Sequence, residues 1–211
     1  MSGLTGGDQP SRVHAMPSAR VAAIVLAAGC SRRMGRRNKL LSRIGGVPMV
    51  RHVVDAALGS ACAATWVVTG HDADQVADAL GDTHVTCVCN AQFDEGIASS
   101  LRCALQALPA QIDAALILLA DMPKVNSGHI DRLLAAFDVA SPKIVAPERD
   151  GRRGNPVLWP RHLFAELMAL RGDVGGRSLF AAHAAQCLFV HIDDDAIFFD
   201  IDTPDDLTPF V

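Results

Sequence analysis

Residues 21–41 read VAAIVLAAGCSRRMGRRNKLL, and the two halves of this stretch have opposite chemistry. Val21 to Ala28 is an unbroken apolar run ending at Gly29, the pattern of a strand buried on both faces. Between Gly29 and Leu40 the chain carries Arg32, Arg33, Arg36, Arg37 and Lys39. Glycine lets backbone N–H groups approach a ligand, and clustered cations beside them are what a polyphosphate requires. A solvated basic surface loop is the competing reading. The spacing is not that of a Walker A loop, because Arg36 follows Gly35 where Lys and then Ser or Thr would be needed. It is not G-x-G-x-x-G either.

Outward from this stretch, strand and helix patterns alternate. ATWVVTG (64–70), HVTCVC (84–89), DAALILLA (113–120), KIVAP (143–147) and NPVLWP (155–160) read as strands. CLFVHID (187–193) and AIFFDID (196–202) read as two more. Val50, Val53, Val54, Ala57, Leu58 and Ala61 fall at helical spacing, with Pro48 placed to open that helix. Asp72 is placed to cap a short helix that Gly81 ends. Further helices are expected at 98–108, 129–137 and 163–170. The alternation predicts right-handed βαβ units in an α/β fold, a Rossmann-like three-layer α/β/α arrangement with a mainly parallel sheet. Residues 1–20 lack periodicity and are rich in Gly, Pro and Ser, so a disordered N-terminal extension is expected before a single domain at 21–211.

Ligands of such sheets bind beyond the carboxyl ends of the strands. The basic loop after the first strand and Asp121 after DAALILLA both fall there. A carboxylate at the end of a buried strand is costly without a partner.

Composition narrows the function classes. The chain has 211 residues, half of them hydrophobic and a fifth charged, which excludes disorder and supplies a core. Its 19 basic and 23 acidic residues give a net charge of −4, which disfavours non-specific nucleic-acid binding. No apolar run reaches the roughly 18 residues of a membrane span, and the N-terminus has no apolar signal-peptide core. A soluble, cytoplasmic protein is expected, with no nucleic-acid or membrane partner. None of the six cysteines (Cys30, Cys62, Cys87, Cys89, Cys103, Cys187) forms a C-x-x-C pair. They are expected to be small buried thiols, except Cys30 in its glycine-bounded loop. His52, His129 and His183 lack metal-ligand spacing and read as surface or internally satisfied residues. Asp193, Asp194 and Asp195 read as a solvated turn.

The motif L-A-A-G-x-S-x-R-M-G-x-x-x-K resembles the signature of nucleotidyltransferases that make activated sugars and molybdenum cofactors. Within that superfamily the chain resembles the molybdenum cofactor cytidylyltransferases, relatives of the molybdopterin-guanine dinucleotide synthases. The resemblance extends over most of residues 21–208. GIASS (96–100, after Asn90), LADMP (119–123), GNPVLW (154–159), GDVGGR (172–177) and DIDTPDDL (200–207) carry it further.

The resemblance implies transfer of CMP from CTP to molybdenum-bound molybdopterin, with Mg²⁺ as cofactor and pyrophosphate as second product. It implies that Leu26, Ala27, Ala28, Gly29, Arg33, Lys39, Gly96, Ser99 and Ser100 bind the nucleotide. Lys39, Arg33 and Asp121 would carry the catalysis, with Asp121 and Asp202 at the metal. Asn155 and Arg177 would meet the acceptor. Transient contact with a molybdenum enzyme or its chaperone is a further expectation. Several alternatives stay open. Arg32, Arg36 and Arg37 can be solvated. Asp202 can instead cap a helix that Pro204 opens. Ser99 and Ser100 can be plain caps, and Arg177 can be a structural ion pair. GTP can replace CTP, a sugar phosphate can replace the pterin, and the chain can be a non-catalytic nucleotide-binding partner. Ala28, where guanine-using relatives carry a second glycine, favours the smaller base.

Overall fold

A computed structural model describes residues 19–30 and 38–210, the last two by backbone alone. The expected N-terminal extension therefore lies outside the described residues, apart from Ala19 and Arg20. Arg20 is already tied down: its N–H donates to the Asp113 carboxylate at 2.8 Å, and its carbonyl accepts from Asp113 at 2.9 Å.

Ten strands are described: β1 (Val21–Ala27), β2 (Arg43–Ile44), β3 (Val47–Pro48), β4 (Ala64–Thr69), β5 (Thr86–Cys89), β6 (Ala114–Leu119), β7 (Ile144–Arg149), β8 (Arg152–Arg153), β9 (Val157–Pro160) and β10 (Cys187–His191). The helices are α1 (Met49–Leu58), α2 (Ala73–Leu80), α3 (Ile97–Ala107), α4 (Ser127–Ala135) and α5 (Phe164–Ala169). The main sheet runs in the order β10-β7-β9-β6-β1-β4-β5, with β8 beside β7; β2 and β3 form a separate hairpin. The pairs β6-β1, β1-β4, β4-β5 and β10-β7 are parallel, whereas β9 runs antiparallel to β6 and β7. The fold is the expected mainly parallel α/β sheet.

The alternation along β1 explains why its sequence is apolar throughout. Val21, Ala23, Val25 and Ala27 pack with α1, α2 and α4 on one face. Ala22 and Ile24 pack with Leu101 and Leu105 of α3 and with Phe164 and Leu167 of α5 on the other. A central strand covered on both faces has no solvent side on which to place polar residues.

Some expectations are corrected. AIFFDID forms no strand: Asp195–Ile197 is a 3₁₀ turn capped by the Asp194 carboxylate, and Ile197 and Ile201 are buried anchors. The run ties strand ends together instead, since the Ile197 carbonyl accepts from Asn155 and the Ile201 N–H donates to Asp121, both at 2.9 Å. The Asp193–Asp195 turn is solvent-exposed as expected, and its carboxylates also pair, Asp193 and Asp195 with Arg149 and Asp194 with His129, each at 3.1 Å. None of the five cysteines expected to be buried is buried: Cys62, Cys103 and Cys187 are half-buried, and Cys87 and Cys89 are exposed on the edge strand β5. Asp72 precedes α2 as expected, but makes no side-chain cap bond to it.

Candidate active site

Register brings the site together. Leu26 of β1 pairs with Leu119 of β6, and the Ala120 N–H donates to the Leu26 carbonyl at 3.2 Å. Asp121 therefore leaves the sheet directly beside the end of β1. From the other side of the chain, Asn38 caps the 3₁₀ turn Lys39–Leu41 by accepting the Leu40 N–H at 3.1 Å. Asn38 is itself buried and donates to the His71 carbonyl at 3.4 Å. This cap fixes the end of the basic loop and projects Lys39 over the strand ends.

The Lys39 ammonium donates to Asp121 Oδ2 at 2.7 Å, to the Ile201 carbonyl at 2.8 Å and to Asp202 Oδ1 at 3.0 Å. Burial pulls the ammonium down, but the attraction and hydrogen bonds of Asp121 and Asp202 outweigh it and raise it above its usual 10.5. Lys39 is thus fully charged at neutral pH. Asp200, close to both carboxylates, is raised above 3.8 by burial and by their repulsion.

Asp121 Oδ1 is buried and, among the described residues, has no hydrogen-bond partner. An orphaned buried carboxylate oxygen is costly, and it marks where a ligand would repay binding. Two carboxylates form an oxygen donor set that suits a hard divalent cation. Among the described residues no three His, Cys, Asp or Glu gather into a metal cage. Asp121 and Asp202 alone would supply at most part of the shell of such a cation, leaving positions for other oxygen ligands.

A cleft of about 450 Å³ opens over this cluster. Leu26, Ala28, Gly29, Lys39, Gly96, Ser100, Asp121 and Asp202 line it, and so does the half-buried Cys30. Ala27 and Ser99 do not line it. Ala27 is fully buried beneath the sheet end, because alternation turns it to the opposite face from Ala28. The Ser99 hydroxyl donates to the Gly96 carbonyl and accepts from Asn90, both at 2.8 Å. Asn90 also donates to Ser100 at 3.1 Å, which pins the start of α3 to the end of β5. Gly96 sits at φ +96°, and a side chain there would run into the backbone of Gly172 and the carboxylate of Asp173. Arg33, like the rest of 31–37, lies outside the described residues.

Asp202 turns its carboxylate to Lys39. Asp206 reaches back instead to the N–H groups of Asp202 and Thr203, at 3.0 and 2.8 Å, before Pro204 opens the last 3₁₀ segment.

A second cavity of about 370 Å³ shares the walls Leu26, Ile97 and Leu119 with the first. Asn155 and Arg177 line it, as expected from their motifs. Arg152, Arg153, Trp159, Phe180 and Phe198 line it too, none of them foreseen as site residues. The Arg153 guanidinium lies 4.2 Å over the Phe180 ring, and Arg152 lies 4.4 Å over Phe198. Phe180 also meets Trp159 edge-on at 5.4 Å. The available signal was the Arg-Arg pair immediately before GNPVLW.

A cation held between two carboxylates at the end of a parallel sheet, under a cleft of nucleotide size, is the arrangement of a nucleotide-handling α/β enzyme. The chain belongs to the MobA-like NTP transferase domain family, whose model matches residues 23–187. It is a nucleotidyltransferase that acts on a nucleoside triphosphate. It is similar to the Bifunctional protein GlmU of Kineococcus radiotolerans, at 37% identity over 184 residues. That match covers 80% of this chain but only 38% of the relative, so the chain spans well under half of that protein's length. Among solved structures it is similar to a homologue of Mycobacterium tuberculosis rv0371c from Mycobacterium sp. strain JC1. The identity is 26% and the TM-score 0.79, over 90% of this chain and 94% of the other. The molybdopterin-guanine dinucleotide biosynthesis protein A of Archaeoglobus fulgidus shares the fold, at 17% identity and TM-score 0.60, over 89% and 95% of the two chains. No helix among the described residues is long and apolar enough to cross a membrane.

Proposed function

We propose that this enzyme transfers CMP from CTP to the terminal phosphate of molybdenum-bound molybdopterin, releasing pyrophosphate. The observation that carries the acceptor is the second cavity. Trp159, Phe180, Phe198 and Leu167 line it together with Arg152, Arg153 and Arg177, two of which lie over its aromatic rings. A fused heterocyclic body with a phosphate tail suits a lining of rings and guanidinium groups.

The reaction needs positioning and charge neutralisation more than covalent chemistry. An acceptor phosphate oxygen attacks the α-phosphorus of CTP. A new P–O bond forms as the bond from the α-phosphorus to the bridging oxygen breaks, and pyrophosphate leaves. Leu26, Ala28, Gly29, Gly96 and Ser100 hold the nucleotide. Lys39 neutralises charge developing at the α-phosphate, and Arg33 assists on the phosphates. Asp121 and Asp202 would hold Mg²⁺, which supplies further charge neutralisation on the triphosphate. Asn155 and Arg177 orient the acceptor.

The test is a pyrophosphate-release assay with CTP and Mg²⁺, comparing molybdopterin with a hexose 1-phosphate as acceptor. Turnover with molybdopterin is expected. Turnover with the sugar phosphate alone would refute the pterin assignment while leaving nucleotidyl transfer standing.

A further inference from the structure

We propose that Phe93, seated by Ala28 and Gly70, sets the size of the base that the nucleotide cleft admits. The inference rests on the reading of that cleft as the triphosphate site.

The strand order places the base. Asp121 follows β6 and Phe93 follows β5, with β1 and β4 between them. Three strand spacings of about 4.8 Å separate those two strand ends by roughly 14 Å. Phosphates and metal belong at the Lys39–Asp121–Asp202 end. The base then falls towards the β5–α3 connection, where Phe93, Asp94 and Gly96 line the cleft.

Phe93 opens the 3₁₀ turn Phe93–Glu95, and its half-buried side chain packs on the core beneath α3 while lining the cleft. Its seat is tight. A Cβ on Gly70 would lie 2.6 Å from Phe93 Cβ, 3.0 Å from Phe93 Cγ and 2.9 Å from Ala28 Cβ. The two side chains therefore both sit against the bare glycine, where a methyl would meet them. The His71 ring bounds it on another side, 6.0 Å away and tilted by 50°. The His71 N–H donates to the Ala28 carbonyl at 3.3 Å, which locks this end of β4 to the end of β1.

Ala28 is only 4% exposed. Its methyl acts chiefly by propping Phe93 forward rather than by touching the base. Replacing it with hydrogen opens a methyl-sized space into which the ring can settle, and the cleft widens by that amount. A purine, with its extra fused ring, gains more from this than a pyrimidine.

The experiment is isothermal titration of the full chain with CTP and with GTP, each with Mg²⁺. Ala28→Gly is expected to shift the ratio of the two Kd values towards GTP by about tenfold, the usual worth of a methyl-sized fit. Phe93→Leu keeps the packing under α3 but removes the ring, and is expected to shift the ratio in the same direction. Because Ala28 acts through Phe93, the double variant is expected to shift it no further than Phe93→Leu alone. An unchanged ratio in Phe93→Leu, or two shifts that multiply in the double variant, would overturn the proposal. A wild-type chain that binds neither nucleotide would overturn the reading of the cleft, and the proposal with it.

Discussion

The Lys39 ammonium and the Asp121 carboxylate meet at 2.7 Å across 82 residues of chain. Their side chains are 13% and 22% exposed, so solvent screens the pair only weakly. The same ammonium reaches Asp202, so one cation holds together two carboxylates that would otherwise repel. That cation belongs to the loop that the sequence marks as phosphate-binding. The side chain proposed to neutralise charge on the α-phosphate is therefore also the structural tie between the two carboxylates.

Asp121→Asn is expected to reduce turnover roughly 10³-fold, the scale seen when a preorganised charge contact is removed. Its melting temperature is expected to stay close to that of the wild type. Lys39 keeps Asp202 and the Ile201 carbonyl, and the Asp121 backbone still accepts from Ile201. Pyrophosphate release and a thermal melt check the two halves. Near-normal turnover with Mg²⁺ present would remove Asp121 from the metal site.

Lys39→Met removes the cation and leaves both carboxylates facing each other. The metal-free chain is expected to lose about 1–3 kcal/mol of stability, the cost of stranding a part-buried polar group. Added Mn²⁺ is expected to restore more melting temperature in this variant than in the wild type, because metal then supplies the missing positive charge. Turnover is expected to fall by orders of magnitude rather than KM alone rising. Equal Mn²⁺ responses in the two proteins would show that Lys39 and metal do not share these carboxylates.

Asp206 provides a pH-dependent test of how Asp202 is held. Its carboxylate accepts from the backbone and hydroxyl of Thr203, at 2.8 and 2.9 Å, and from the Asp202 N–H at 3.0 Å. These bonds hold it below its usual 3.8. The folded state thus favours the ionised form, so its contribution is present above pH 3.8 and is lost as pH falls through the lower folded value. Asp206→Ala is expected to melt below the wild type at pH 7, with the difference closing in strong acid. A difference that persists in strong acid would contradict the assignment.

Much of this site is legible in the sequence because its residues sit at places with a pattern. Ala28 and Asp121 follow apolar runs that only a doubly covered strand produces, and Lys39 closes the basic loop. Ser99 and Ala27 carry the motif yet not the cleft, since helix start and strand alternation turn them inward. Arg152 and Arg153 form a two-residue strand with no periodicity, so only their place beside GNPVLW points to them. Phe93 is hidden for a different reason. Its place depends on Gly70 and Ala28, on strands that only the sheet order brings together. AIFFDID misleads because its apolar residues serve as anchors across strand ends, a use that local pattern does not separate from a strand.

Cytidylyl transfer to the pterin is tested by following the α-phosphate. The full chain is incubated with Mg²⁺, molybdopterin bearing molybdenum, and CTP labelled at that phosphate. Label is expected in a pterin–cytosine dinucleotide with equimolar pyrophosphate, and much less product when labelled GTP replaces CTP. Label that stays out of the pterin product, or that enters it faster from GTP, would contradict that transfer.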